Sequence, residues 1–403
     1  MRIAVVSTFY PNSAVPLRTV FVRNLVSALE AHAQLTVVSP VPYAPPWPRK
    51  WVALRAIPGR TQDGSKDVFH PRFVVVPKLE VINGLSYSTA IAPVLRRLMR
   101  SRGVDLLHVH CAYPDAVGVA LTATALRLPF VVTAHGSDIN VYAERSAIRP
   151  QIAWALRRAD AVIAVSRAIQ RKIGALVPEI RDRVVHIPCA AVNREVFFPR
   201  ERVFARRHLR LEKLGRLVVF VGQLVAIKAL DVLLRAWEIL LAASRVDGND
   251  RLVLIGDGPL RRELERAAAS PQMQSTVHLA GEMSQERVAY WLNAATLFCL
   301  PSRNEGTPNV IIEALACGRP VVASRVGGIP ELICDNSNGL LVTPGNASQL
   351  ASALDTALNL PWDGAQIAAT VKEYTWEELA KRNHAVFVNV LAERGRVSHE
   401  LVE

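Results

Sequence analysis

The sequence predicts an α/β protein built from two doubly wound parallel sheets. Three observations carry this. Short β-branched runs, apolar almost throughout, recur at 3–7, 35–39, 106–109, 130–133, 161–165 and 184–187. Runs of that kind suit parallel strands covered on both faces. Helical spacing lies between several of them, for example at 20–31 and 93–102, and alternating β and α signals a parallel sheet. The alternation then starts afresh at 217–222, so a chain of 403 residues, half of them hydrophobic, divides into two domains.

Composition narrows the class further. A chain this apolar is not disordered. No apolar run approaches the roughly 18 residues that span a bilayer. The opening stretch, residues 2–10, is too short for a signal h-region and reads as a first strand. Five cysteines, at 111, 189, 299, 317 and 334, form no close pairs. A disulfide or metal framework is not expected from them, and a reducing cytoplasm is. Charge is uneven. Residues 1–200 hold 26 Lys and Arg against 12 Asp and Glu, a net of +14, while residues 201–403 hold 22 against 23. The first half either meets something anionic, such as a membrane face or nucleic acid, or is simply a basic solvated surface.

In chain order, three loops follow strands of the first half: 9–18, 110–115 and 134–140. In a doubly wound sheet they open on one edge, where ligands bind. Of His108 and His110, which flank Val109, His110 at the strand end is the one expected to face the cleft. His135 follows a buried strand, and its neutral imidazole can bond a ligand or be satisfied in the core. The stretch 40–58, rich in Pro, Trp and base around Trp47 and Trp51, reads as a long surface loop. It suits a membrane interface or packing on its own domain. The helix expected at 93–102 carries four arginines beside an apolar stripe, as interfacial and ordinary surface helices both do. The domain link is placed at 198/199. In the second half, strands are expected at 217–222, 252–255, 277–280, 296–300 and 320–324, with helices between. A final amphipathic helix at 376–393 has no strand after it and must dock on an existing domain.

The chemistry concentrates in residues 302–318, which leave a buried strand and open a helix. Thr307 can cap that helix and Pro308 suits its first turn. Free amides and the helix dipole make an anion site there. Glu305 and Glu313 lie eight residues apart. They are either an acid–base pair or clasps for hydroxyl groups. Lys228, in the loop 222–228 after the first strand of the second half, can clamp a phosphate. At about 4 Å and an effective dielectric near 20, such a pair gives about 4 kcal/mol before desolvation. Gly256-Asp257-Gly258-Pro259 lacks the third glycine of a dinucleotide fingerprint and reads as a turn. No His, Cys, Asp or Glu cluster has metal-ligand spacing, and neither a nucleophile elbow nor a Walker loop is present.

These motifs resemble the retaining glycosyltransferases of the group 1 type, family 4. The resemblance rests on Glu305 to Glu313 with Gly306, Pro308 and Asn309, on Gly222 with Lys228, and on Gly256-Asp257-Gly258. Gly318, Gly327-Gly328-Ile329-Pro330-Glu331 and 338–342 extend it. It is looser in the first half, where 134–140 and 111–115 carry it. It implies the GT-B fold, two Rossmann-like sheets facing a cleft, with the last helix crossing back to the first domain. The domains then run 1–198 for the acceptor and 199–373 for a nucleotide-sugar donor, with 374–403 as the returning tail.

The resemblance further implies that Lys228 contacts the donor diphosphate and Glu313 the ribose hydroxyls. Glu305 and the backbone of Gly306, Thr307, Pro308, Asn309 and Val310 hold the donor sugar, and His135 lies near the reacting carbon. Gly222 and Gln223 line the diphosphate, although the family often has arginine where Gln223 stands. The family's first-loop glycine pair is replaced by Asn12-Ser13. Acceptor contacts are expected from Asn12, Arg18, His110 and Asp138. No cofactor or bound metal is implied, and retention is ascribed to front-face attack.

The expected activity is transfer of a sugar to a glycan or a polyprenyl-diphosphate-linked acceptor, in cell-surface polysaccharide or glycolipid synthesis. The basic first half suits an anionic membrane surface, so the expected location is cytoplasmic, with peripheral attachment to the inner face of the plasma membrane. A nucleic-acid-binding protein is the alternative class, against which stand the absence of a reading motif and the few aromatics in the basic half. A GT-B epimerase or phosphorylase is the enzymatic alternative and does not fit the Glu305 to Glu313 stretch.

Overall fold

Parallel pairing organises both sheets of the chain. The structure is a computed structural model and describes residues 1–15, 20–43, 52–76 and 79–395. Arg18, Trp47 and Trp51 lie outside the described residues. The chain divides into two units, Met1–Cys189 with Trp376–Glu403, and Ala190–Thr375.

The first unit contains β1 (Arg2–Val6), β2 (Gln34–Val38), β3 (Val41–Pro42), β4 (Arg60–Asp63) and β5 (Lys66–Phe69), then β6 (Arg72–Phe73), β7 (Leu106–His110), β8 (Phe130–Ala134), β9 (Ala161–Ala164) and β10 (Val184–His186). Eight of these form one sheet in the order β10-β9-β8-β7-β1-β2-β5-β4, and β3 pairs with β6 apart from it. All neighbours in the large sheet are parallel except β4 and β5. The central strands are buried along their length, as helices on both faces require. The order reverses direction at β1, between β2 and β7, which makes that edge a topological switch point.

The second unit repeats the plan. It contains β11 (Leu217–Val221), β12 (Arg251–Ile255), β13 (Val277–Gly281), β14 (Leu297–Leu300), β15 (Val321–Ser324) and β16 (Gly339–Val342). They form an all-parallel sheet ordered β13-β12-β11-β14-β15-β16. Its switch point lies between β11 and β14. The loops after those two strands hold Lys228 and Glu305.

Three elements differ from the sequence reading. The unit boundary falls at 189/190 rather than 198/199, because Ala190, Val192 and Phe197 are buried in the second core. The amide of Val192 also donates to the carbonyl of Tyr374 within that unit. The helix expected at 93–102 starts ten residues earlier, as Asn83–Ser101, with Tyr87, Ile91, Leu95 and Leu98 buried at helical spacing and Pro93 inside it on the exposed side. The β4–β5 hairpin was not anticipated. Its strands are full of charge, and those charges are consumed locally. Lys66 pairs with Glu30, and Asp67 pairs with both Arg60 and Arg102.

The final helix, Trp376–Glu393, packs in the first unit against the helix Val20–Leu29. Its Phe387 is fully buried, with its ring 4.9 Å from that of His108. Arg382 donates to the carbonyl of His186, and Arg394 pairs with Asp160. Among the described residues no helix is long and apolar enough to cross a membrane.

Candidate functional site

Strand β11 ends at Val221, and after Gly222 the chain turns through a short 3-10 segment, Ala226–Lys228. The turn at 256–258 buttresses this loop. The amide of Leu224 donates to the carbonyl of Asp257, and the amide of Leu260 donates to the carbonyl of Leu224. A Cβ on Gly256 would stand 2.0 Å from the carbonyl oxygen of Gly222, at a φ of +135°. Only glycine permits that approach. The Gly256-Asp257-Gly258 sequence is therefore a backbone support for the lysine loop.

Lys228 reaches across the switch point to Glu305, with Nζ 2.5 Å from Oε1. The hydroxyl of Ser302 donates to the same carboxylate oxygen at 2.7 Å. The two side chains are only 19% and 11% exposed, so the pair is partly withdrawn from water yet open to a ligand. The loop that carries Glu305 is shaped from behind by Gly327 and Gly328. The amide of Gly328 donates to the carbonyl of Gly306 at 2.7 Å. A Cβ on Gly327 would fall 1.8 Å from the carbonyl oxygen of Glu305.

The helix after this loop runs Asn309–Ala316 and has Pro308 as its N-cap, with no capping side chain. The helix thus starts one residue later than Pro308 as a first-turn residue requires, and the N-cap position falls on Pro308 rather than on Thr307. Glu313 stands one turn after Asn309 on the same helix face. Helical side chains lean toward the N-terminus, which carries the Glu313 carboxylate back toward the loop. That carboxylate is partly buried and has no hydrogen-bond partner among the described residues. Burial raises its pKa to about 7. Gln223 is exposed, and Asn309 and Val310 are partly buried.

In the first unit, the loops after β1, β7 and β8 are knitted together by two buried carboxylates. Asp115 accepts from the amide and hydroxyl of Thr8 and from the hydroxyl of Tyr87. Asp138 accepts from the amides of Ala112, His135, Gly136 and Ile139. Asp138 is therefore a backbone clasp, fully buried, and not an acceptor contact as expected. His110, expected as an acceptor contact, is fully buried like His108, and its Nδ1 lies 2.9 Å from Nε2 of His135. Asn12 turns its side-chain oxygen to the amides of Ala14 and Val15 in its own loop.

Burial pushes the three imidazoles of His108, His110 and His135 well below the ordinary histidine range. Neighbouring imidazoles lower His108 and His110 further, whereas Asp138 partly offsets the effect at His135. All three are neutral at pH 7. His135 is held between the rings of Phe9 and Phe21, and its Nδ1 is buried without a partner.

Two features of the second unit escaped the sequence reading. Ser302 bonds Glu305, and Arg303 ties the glutamate loop to the lysine loop. Their position three and two residues before Glu305 was the available signal. Among the described residues no group of three or more His, Cys, Asp or Glu is arranged to hold a metal ion.

The raised pKa of Glu313 has a pH consequence. Between about pH 4.5 and 7 the unfolded chain loses a proton that the folded chain keeps, so stability falls as pH rises through that window. Asp115, raised to about 7 by burial, acts in the same direction in the first unit. Denaturant titrations from pH 4.5 to 7.5 should show Glu313→Gln removing a slope of up to about 1.4 kcal/mol per pH unit. An unchanged slope in the variant means that the carboxyl is solvated.

Comparison with known proteins places this geometry. Residues 215–359 match the family described as Glycosyl transferases group 1, and residues 19–191 match Glycosyltransferase Family 4. The chain is similar to a putative teichuronic acid biosynthesis glycosyltransferase of Bacillus subtilis, with 30% identity over 371 residues that span 88% of each chain. Its fold is shared with a sucrose-phosphate synthase from Thermosynechococcus elongatus, at a TM-score of 0.72 and 21% identity, covering 98% of this chain and 100% of that one. It is shared too with Anabaena HepE in complex with UDP, at a TM-score of 0.67 and 20% identity, covering 98% of each. Two parallel doubly wound units carrying these loops have the GT-B fold, and the chain belongs to the group 1, family 4 glycosyltransferases.

Proposed function

We propose that the chain moves a sugar, with retention of anomeric configuration, from a nucleoside-diphosphate sugar held by the second unit. The pairing of Lys228 with Glu305 beside the unpartnered Glu313 carries this reading. Lys228 exchanges part of its bond to Glu305 for the donor diphosphate. Glu305 turns to the sugar hydroxyls, and the ionised Glu313 accepts from two neighbouring ribose hydroxyls. With Gln223 supplying no charge, Lys228 is the main neutralising group, and the reaction runs without a bound metal. The leaving diphosphate takes the acceptor's proton in a front-face substitution, so Glu305 is not a nucleophile. For His135 to bond a sugar, a ring nitrogen must first be released from His110 or uncovered.

The acceptor reading is a glycan or polyprenyl-diphosphate-linked glycan in cell-surface polysaccharide synthesis. It draws support from the relative named for teichuronic acid biosynthesis. A pocket of about 280 Å³ beside the first loop has Asn12, Arg23, Gln62 and Asp63 among its lining, together with the apolar Pro11, Ile57 and Val68. Arg96, Arg97 and Arg100 are exposed on the helix Asn83–Ser101, and exposed Leu79, Val81 and Leu85 lie at its start. That arrangement suits an anionic bilayer, where each basic residue contributes about 1 kcal/mol.

A thermal-shift screen of UDP-, GDP-, ADP- and dTDP-sugars tests the donor. A ligand at about 100 times its Kd adds about 2.7 kcal/mol of stability. One nucleotide sugar should raise the melting temperature, and Glu313→Ala should abolish the rise; no shift with any of the four refutes the donor reading. Flotation with anionic vesicles at low salt tests the surface. The chain should float with them and stay behind with neutral vesicles, and failure to float removes the membrane from the account.

A further inference from the structure

We propose that Arg303 and Asp231 form a positioning clamp that holds the lysine loop and the glutamate loop at the spacing a donor needs. The inference rests on the donor reading above. Arg303 stands two residues before Glu305, and Asp231 stands three residues after Lys228 in the first turn of the helix Leu230–Ala242. The Arg303 guanidinium donates to both carboxylate oxygens of Asp231, at 3.0 and 2.6 Å, and to the carbonyl of Ala226 at 2.8 Å. Its own amide donates to the carbonyl of Ile227 at 2.8 Å. One residue therefore makes four bonds across the switch point, all of them to the segment around Lys228.

Neither side chain of the clamp is placed as a ligand group. Both are substantially exposed, and an exposed ion pair contributes little to folding stability. Its use lies in the moment of binding. Among the described residues, the other side-chain tie between the two loops is the bond from Lys228 to Glu305. A diphosphate that recruits Lys228 weakens that bond and loosens the loops just when both must stay in place. The clamp persists because its bonds do not involve Lys228 or Glu305. The planar guanidinium matches the carboxylate two-by-two, which fixes direction as well as distance.

The test is calorimetric titration of the full chain with UDP, GDP, ADP and dTDP, comparing wild type, R303A, D231A, the double variant and R303K. The tightest nucleotide should bind R303A and D231A about tenfold more weakly, and the double variant no more weakly than the worse single. R303K keeps the charge but loses the two-by-two match to Asp231, so it should recover only part of the loss and stay about threefold weaker than wild type. Melting temperatures should stay within about 2 °C throughout. Wild-type affinity in R303A, additive losses in the double variant, or losses that track a collapse in melting temperature overturn the clamp. If wild type binds none of the four nucleotides, the donor reading itself falls and the clamp with it.

Discussion

The ion pair between Lys228 and Glu305 is the interaction around which the second unit is arranged. It is neither deeply buried nor free in water. A fully buried pair would be costly to open, because each charge would lose its partner in a poor solvent. A fully exposed pair would be screened and would fix no geometry. At 19% and 11% exposure the two charges hold each other in place yet can be re-partnered by an entering anion with matching hydroxyls. The sheet order brings their loops together at the switch point, and the turns at Gly256 and Gly327 press each loop into position from behind.

The first unit uses its carboxylates in the opposite way. Asp115 and Asp138 are spent on backbone amides and hydroxyls, so they organise loops rather than bind ligands. His135, bonded to the buried His110, is fixed by the same economy of local bonds. Glu313 stands apart from both patterns. It is a partly buried acid without a hydrogen-bond partner among the described residues, in a helix whose sequence otherwise serves the core. A carboxyl in that state is ready to accept hydroxyl donors that the protein does not supply.

Much of this was legible in the residues. Apolar β-branched runs revealed β1, β2 and β7 to β9, and the loops after them, because burial on both faces leaves little alternative. Lys228, Glu305 and Glu313 were visible from their places after strands and at a helix start. The β4–β5 hairpin was not, since its charged residues pair locally with Glu30, Arg60 and Arg102, and periodicity does not record pairing. Asp138 and His110 misled for a related reason. A polar residue at or just beyond the end of a strand reads as a ligand contact until its surroundings are known, and Asp138 and Nδ1 of His110 are bonded inside the unit. The boundary near 190 was hidden because Val192 and Phe197 belong by packing to a core that begins later in sequence.

The most direct test of the donor site is a crystal structure of the chain soaked with the nucleotide sugar that stabilises it best. A phosphate oxygen should lie about 3 Å from Nζ of Lys228, with ribose hydroxyls at hydrogen-bond distance from the Glu313 carboxylate. A nucleotide bound elsewhere, or one whose ribose leaves Glu313 unpartnered, would contradict that arrangement.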